Sequence, residues 1–523
     1  MLQNNKHYYE KNQINHFLTL TAIGTLAISC GKKQEQPKPN ILLIIADDLG
    51  YGDVSAYGNT HINTPNIDRL AKEGVSFTDG HATSATSTPS RYALFTGQYP
   101  WKNKRAKILA GDAPLLIGEN QFTMEGMLKS KGYKTAAIGK WHLGMGTGHP
   151  NWNETVTPGA KEIGFDYSYI IAATCDRVPT VFIKNGKVAN LAPGDSLFVD
   201  YNTPFKGEPT AITNPELMTK MTWSHGHHNT VINGVPRIGY MKGGRSACWV
   251  DENIADTLLN QAERFVTENK DKPFFLYYGL HEPHVPRVPN SRFVGKSGLG
   301  ARGDAVLECD WCVGQILEHL EKEGVLENTL VIFSSDNGAV LDDGYNDQAR
   351  ELLNGDDPNG GFRGGKYSLY EAGTRVPFFV YWKGHIKPVV SDAPVNQIDL
   401  LASLAKLVGA DIPEGLDSKD FLDTFLGKSQ KGRKSMIMEA NQRLALRYGK
   451  YDLIPPYNGE ERNETGNEVG NLPQFTLFDI IKDPKQTTQI QDQNTEVVKK
   501  LKTVFLNETK GFYNPNQAVI ELK

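Results

Sequence analysis

From about residue 39 to 408, short continuous apolar runs alternate with segments whose apolar residues recur every three or four positions. "NILLIIA" (40–46), "KTAAIG" (134–139), "PFFLYYGL" (273–280), "TLVIFSS" (329–335) and "VPFFVYW" (376–382) read as strands buried on both faces. "TPNIDRLAKEGVSF" reads as a helix, with Thr64 as its cap, Pro65 in its first turn, and Ile67, Leu70 and Ala71 on one face. Such strands between amphipathic helices predict an α/β fold: a large, mostly parallel sheet flanked by helices. The stretch from about 145 to 250 is rich in Gly, Pro, Asn and His and predicts excursions over the sheet's edge. Beyond 435, "ALRYGKYDLIPPY" and "QFTLFDIIKDP" read as short antiparallel strands, and "TEVVKKLKTVFLNETKGF" as a last helix. The expected division is a main α/β domain over 40–434 and a smaller C-terminal α+β subdomain over 435–523.

The first thirty-nine residues follow another pattern. Lys6 and Lys11 precede an apolar run from Phe17 to Ser29 that is short for a bilayer span. Residues 1–30 therefore read as a signal peptide. "LAISC", ending at Cys30, resembles a bacterial lipoprotein processing site, although Ala27 stands where a larger aliphatic residue is usual. "GKKQEQPKP" over 31–39 reads as a tether. The protein is expected to be exported to the periplasm or cell surface, touching a membrane only through a lipid on Cys30.

With 523 residues the chain exceeds one ordinary core, and its net charge of −4 argues against a nucleic-acid partner. Cys175, Cys248, Cys309 and Cys312 are too few for a disulfide framework in a chain this long. Cys309 and Cys312 fall inside a helical pattern and read as buried structural residues.

Several apolar runs lead straight into polar residues. "LLIIA" leads into Asp47-Asp48, "KTAAIG" into Lys140-Trp141-His142, "FLYYGL" into His281-Glu282-Pro283-His284, and "VIFSS" into Asp336-Asn337. The carboxyl ends of parallel strands form the ligand crevice of open α/β sheets, so these tails should surround one cleft. Asp47, Asp48, Asp336 and Asn337 offer only oxygen, which suits a hard cation such as calcium or magnesium. Lys140, His142, His284 and Lys366 could bind an anion and move protons, with Arg363 as a further cation. In "SATSTPSRYALFTG" (84–97), Ser87 or Thr88 reads as the cap of a helix with Pro89 in its first position. A helix N-terminus there would add N–H donors and a positive dipole end for an anion at Ser87.

These residues resemble the type I sulfatases of the alkaline-phosphatase superfamily, whose signature is Cys or Ser, x, Pro, Ser, Arg, three residues, a hydrophobic residue and Thr-Gly. Here it reads Ser87-Thr-Pro-Ser-Arg91-Tyr-Ala-Leu-Phe-Thr-Gly97. "IADDLGYGD", "GKWHLG", "HEPHVP", "SSDNG", "RGGKYSLYEAGTRVPF" and "LFDIIKDPKQTTQI" follow in the family's order. The resemblance implies that Ser87 is oxidised to formylglycine (3-oxoalanine), and serine in place of cysteine implies an anaerobic sulfatase-maturating enzyme as partner. A hydrated aldehyde has two hydroxyls: one attacks sulfur, and deprotonating the other expels sulfate and restores the aldehyde. Carried over by motif, one calcium ion is held by Asp47, Asp48, Asp336, Asn337 and residue 87. Arg91 and Lys140 match the residues that hold the formylglycine hydroxyls, and His142 matches the base. His284 and Lys366 match the pair that binds sulfate, one of which protonates the departing alcohol.

The expected substrate is a sulfated glycan. Asp176 and Arg177 are placed to hydrogen-bond adjacent sugar hydroxyls, and His225, His227 or His228 to do likewise or to form a second metal site. "RIGYMKGG" and "ACWVDENIAD" are similar to bacterial sulfatases acting on 6-O-sulfated galactose or N-acetylgalactosamine, units of chondroitin sulfate and mucin glycans. Two other readings stay open: a phosphoester or phosphonate hydrolase of the same superfamily, and a silent glycan-binding lipoprotein with unmodified Ser87.

Overall fold

The computed structural model describes residues 38–516. The expected signal peptide, Cys30 and all of the tether but residues 38 and 39 lie outside the described residues.

In chain order the main sheet takes up β1 (Asn40–Ala46), β2 (Val75–Phe77), β3 (Lys134–Lys140), β4 (Tyr167–Ile171), β5 (Phe182–Lys184) and β6 (Lys187–Val188). It then adds β7 (Phe274–Gly279), β8 (Thr329–Ser335), β9 (Phe378–Tyr381) and β10 (Val389–Ser391). The ten strands lie in the order β10-β2-β9-β8-β1-β7-β3-β4-β5-β6. The middle, from β8 to β4, is parallel throughout. Both margins turn antiparallel, at β9 against β8 and β2, and at β5 and β6. β9 is antiparallel because no helical crossover intervenes: the chain leaves β8, loops past its carboxyl end and re-enters beside it.

Alternate residues of β1 feed two separate cores. Ile41, Leu43 and Ile45 pack with α2 (Ser87–Thr96), α3 (Met124–Ser130) and α6 (Leu400–Val408). Leu42, Ile44 and Ala46 pack with α1 (Pro65–Glu73), α4 (Ile254–Asn269) and α5 (Gly300–Lys322). Covering both faces is what forces the strands to be apolar throughout. Cys309 and Cys312 are free thiols buried within α5, as their helical spacing predicts.

A second sheet follows, antiparallel in the order β11 (Ser435–Ala440), β12 (Arg443–Tyr448), β13 (Tyr451–Ile454), β14 (Thr476–Asp479), with α7 (Thr495–Thr509) packed on it. It backs directly onto the start of α2. The Ser84 hydroxyl donates to the Glu439 carboxylate, and Ala85 N–H donates to Glu439 O at 2.7 Å. Arg447 donates to Asp79 at 2.8 Å and to Glu371 at 3.0 Å, fastening β12 to the main body.

Candidate active site

The four polar tails meet at one edge because β8, β1, β7 and β3 are parallel neighbours whose pairing continues beyond their last residues. Asp336 N–H donates to Ala46 O at 3.1 Å, and Asp47 N–H to Glu282 O at 3.0 Å. The helix that meets them starts two residues ahead of Pro89. Thr86 is the extended residue before it, Ser87 is its first helical residue and Pro89 its third. The proline is tolerated there because N–H groups of a first turn have no partner inside the helix. Ser87 thus sits at an N-terminus aimed at the acids.

Around Ser87 the contacts are tight. Lys140 Nζ donates to Ser87 Oγ at 2.7 Å and also reaches Asp47 and Asp336. Ser87 Oγ lies 3.5 Å from both Asp47 Oδ1 and Asn337 Oδ1. Asn337 Nδ2 donates to Asp48 Oδ1 at 2.7 Å, and Asp48 N–H to Asp336 Oδ1 at 3.3 Å. Asp48 and His142 hold left-handed backbone conformations, at φ 63° and 53°. Such geometry costs about 1–3 kcal/mol per residue and persists only where its surroundings fix it.

Arg91 reaches the acids beside Ser87. One turn along α2 from Ser87, its guanidinium donates to Asp336 Oδ2 at 3.0 and 2.8 Å and to the Tyr277 hydroxyl, and makes no hydrogen bond to Ser87. It positions Asp336. Arg363 is not at the anion site: it pairs with Glu468 at 2.7 Å and lies over the Tyr370 ring.

The charges bear on what the site can hold. Burial pushes the Asp47 carboxyl up to about 8, against the pull of Lys140 and with the push of Asp336 and Asp48. Burial also works against the Asp336 anion, yet Arg91 and Lys140 hold it well below the usual carboxylate range. Asp47, Asp48, Asp336 and the Asn337 amide converge as oxygen donors, and one more cation would relieve Asp47. A hard divalent ion fits this donor set. His284 joins it from the side, with Nε2 3.7 Å from Asp48 Oδ2.

Two histidines beside Ser87 are pushed towards the neutral form. Burial, Lys140 and Arg177 push His142 well below its ordinary value, and burial, Lys366 and Lys140 do the same to His284. His142 Nε2 donates to Leu109 O at 2.9 Å, leaving Nδ1 buried without a partner. His284 Nδ1 donates to Val285 O at 2.6 Å, so its Nε2 carries the lone pair. Lys366 is the opposite case: burial works against its charge, but Asp343 and Asp48 hold it well above the ordinary lysine value. It donates to them at 2.7 and 2.9 Å.

These groups face one cleft. Ser87, His142, His284 and Lys366 line its floor, and Asp176, Arg177, His225 and His227 line its wall. Asp176 accepts from Arg177 at 3.1 Å and pairs with His227 Nε2 at 2.8 Å. His225 keeps Nε2 unpartnered, while His228 stacks beside Trp223 and lies outside the lining. Among the described residues these histidines form no metal-ligand cluster, so that expectation is withdrawn.

Sequence reasoning missed Asp343 and Tyr367, whose hydroxyl donates to Asp343 at 3.0 Å. Tyr367 adjoins Lys366 and has φ 73°, but nothing periodic marks it. Asp343 sits in "LDDGYND", a loop like any other on paper.

A family model, Sulfatase, matches residues 39–410. The chain belongs to the sulfatase family. This sulfatase is 47% identical over 499 residues to the N-acetylgalactosamine-6-O-sulfatase of Bacteroides thetaiotaomicron, covering 93% of this chain and 98% of that one. Human arylsulfatase A is 29% identical, covering 88% of this chain and 84% of its own length. A 6S-sulfatase structure from the glycosaminoglycan metabolism of Bacteroides thetaiotaomicron superposes with a TM-score of 0.89 at 48% identity. It covers 91% of this chain and 100% of its own.

Proposed function

We propose that this sulfatase removes 6-O-sulfate from N-acetylgalactosamine or galactose units of sulfated glycans, using formylglycine at residue 87 and one calcium ion. One observation carries this reading. The cleft joins a cationic, strained floor around Ser87 to a polar wall, Asp176–Arg177–His227, of the kind that hydrogen-bonds vicinal hydroxyls. The 47% identical relative, an N-acetylgalactosamine-6-O-sulfatase, supports the sugar and the position.

Asp47, Asp48, Asp336, Asn337 and residue 87 hold the ion, which when bound supplies positive charge next to the sulfate oxygens. Lys140 holds the residue 87 hydroxyl. His142, neutral with Nδ1 free, takes a proton from residue 87 as the sulfate is released. His284 and Lys366 flank the sulfate. Lys366, held charged by its two carboxylates, donates a proton to the leaving oxygen. A maturating enzyme acting on Ser87 and an exported, lipid-anchored location complete the proposal.

Mass spectrometry of the Ser87 peptide from matured protein, with sulfate release from 6-O- and 4-O-sulfated N-acetylgalactosamine, tests it. The expected result is loss of two hydrogens at Ser87 and release from the 6-O isomer only. Unmodified serine in fully matured protein, or no release, rejects it. Chelation of calcium should abolish turnover and lower the melting temperature, with calcium restoring both.

A further inference from the structure

The cations on the cleft floor are buried and paired. A second group of cations, on the loop that runs into the cleft lining at Ile108, is neither. Residues 104–107 read Lys-Arg-Ala-Lys, and Lys104, Arg105 and Lys107 are all exposed. Among the described residues none has a carboxylate partner, and the Arg105 side chain donates to the carbonyl of Leu115. Lys102, just before them, is committed to Asp417 at 2.6 Å. Asp112 is the one acid between 103 and 115, and it is buried and bonded to His149 at 2.7 Å. In a chain of net charge −4, three neighbouring exposed cations, none in an ion pair among the described residues, make a local positive field.

The loop is held in shape. Ala106 is buried in the main core, its N–H donates to Asn103 O at 2.8 Å, and Arg105 N–H donates to Asn103 Oδ1 at 3.0 Å. It also leads straight into the active site. Ile108 lines the cleft, and Leu109 O is the acceptor that fixes the His142 ring. Lys107 adjoins Ile108, and Lys104 is at most about 14 Å of chain from it. The cleft's inner end is closed by the strand tails and α2. A chain longer than the sulfated unit must therefore leave through the mouth.

We propose that Lys104, Arg105 and Lys107 form a docking site for the anionic groups of a longer saccharide whose sulfated unit fills the cleft. This rests on the sulfated-glycan reading above. The loop selects an anionic polymer end over a free sulfated monosaccharide, through charge that acts across the cleft mouth and weakens with salt.

Calorimetric titration of the Ser87→Ala protein, which binds without turning over, tests this directly. The probes are 6-O-sulfated N-acetylgalactosamine and a chondroitin 6-sulfate tetrasaccharide, each with and without Lys104→Ala/Arg105→Ala/Lys107→Ala. The expected result is a tetrasaccharide bound about tenfold more tightly, an advantage lost in the triple variant and in high salt, as for screened rim charges. Monosaccharide binding stays unchanged. Equal affinity for the two probes, an advantage that survives the triple variant, or a tetrasaccharide that does not bind overturns the proposal. Failure of the sulfatase reading is seen separately, as no sulfate released from the monosaccharide by matured protein.

Discussion

Lys366 sits between Asp48 and Asp343, and burial alone would strip its proton. Asp343 is what keeps it charged without being a member of any recognisable motif. Asp343→Asn should lower the Lys366 value, so the alkaline limb of the kcat profile should move down by about 1–3 pH units. Near pH 10 kcat should fall about tenfold relative to the parent protein, with KM changed far less. Ser87→Ala, by contrast, should abolish turnover at every pH and leave the melting temperature within about 2 °C, since it deletes one hydroxyl. The two aspartates also show what the sequence reveals at this scale. Asp336 is legible because it ends an aliphatic strand. Asp343 is not, because a loop acid has no periodic position to announce its direction. Arg91 is legible for the same reason as Ser87: four residues along a helix put both on one face, towards Asp336.

β3 ends Gly139-Lys140, and the glycine is what lets it end there. Gly139 has φ +100°, and a Cβ on it would stand 1.8 Å from Gly279 O on β7. Gly139→Ala should cost about 4 kcal/mol, from strain and from forcing β3 away from β7, measured by chemical denaturation. It should also lower activity, since Lys140 is the next residue. At this scale the sequence speaks clearly about strands buried on both faces: an unbroken aliphatic run has few other uses. It says less about margins. β5 and β6 span three and two residues, too short for an alternating pattern to show. β11 went unread for another reason, because "SMIMEA" carries methionine and glutamate where a strand pattern is sought.

Taken whole, the molecule joins its two sheets through buried polar contacts as well as through packing. Glu439 is buried beside Ser84, and burial pushes its carboxyl up to about 7, against the pull of the Ser84 hydroxyl. The folded chain therefore keeps that proton up to pH about 7, while the unfolded chain releases it near 4.5. Stability should fall as pH rises through that window, by about 3 kcal/mol from this group. Glu439→Gln should flatten that decline in denaturant midpoints measured from pH 5 to 8. No sequence pattern links positions 84 and 439; only the closed fold does.

Closure also sets an order of events. Ser87 is 3% exposed, beneath strand tails that end at 336 and a sheet that begins at 435. An enzyme that oxidises this serine cannot reach it once those later segments have settled. Maturation, on the proposed function, is thus a race against folding: a copy that folds first is sealed with an ordinary alcohol at its centre. How active a preparation is then reflects the history of each molecule as much as its sequence.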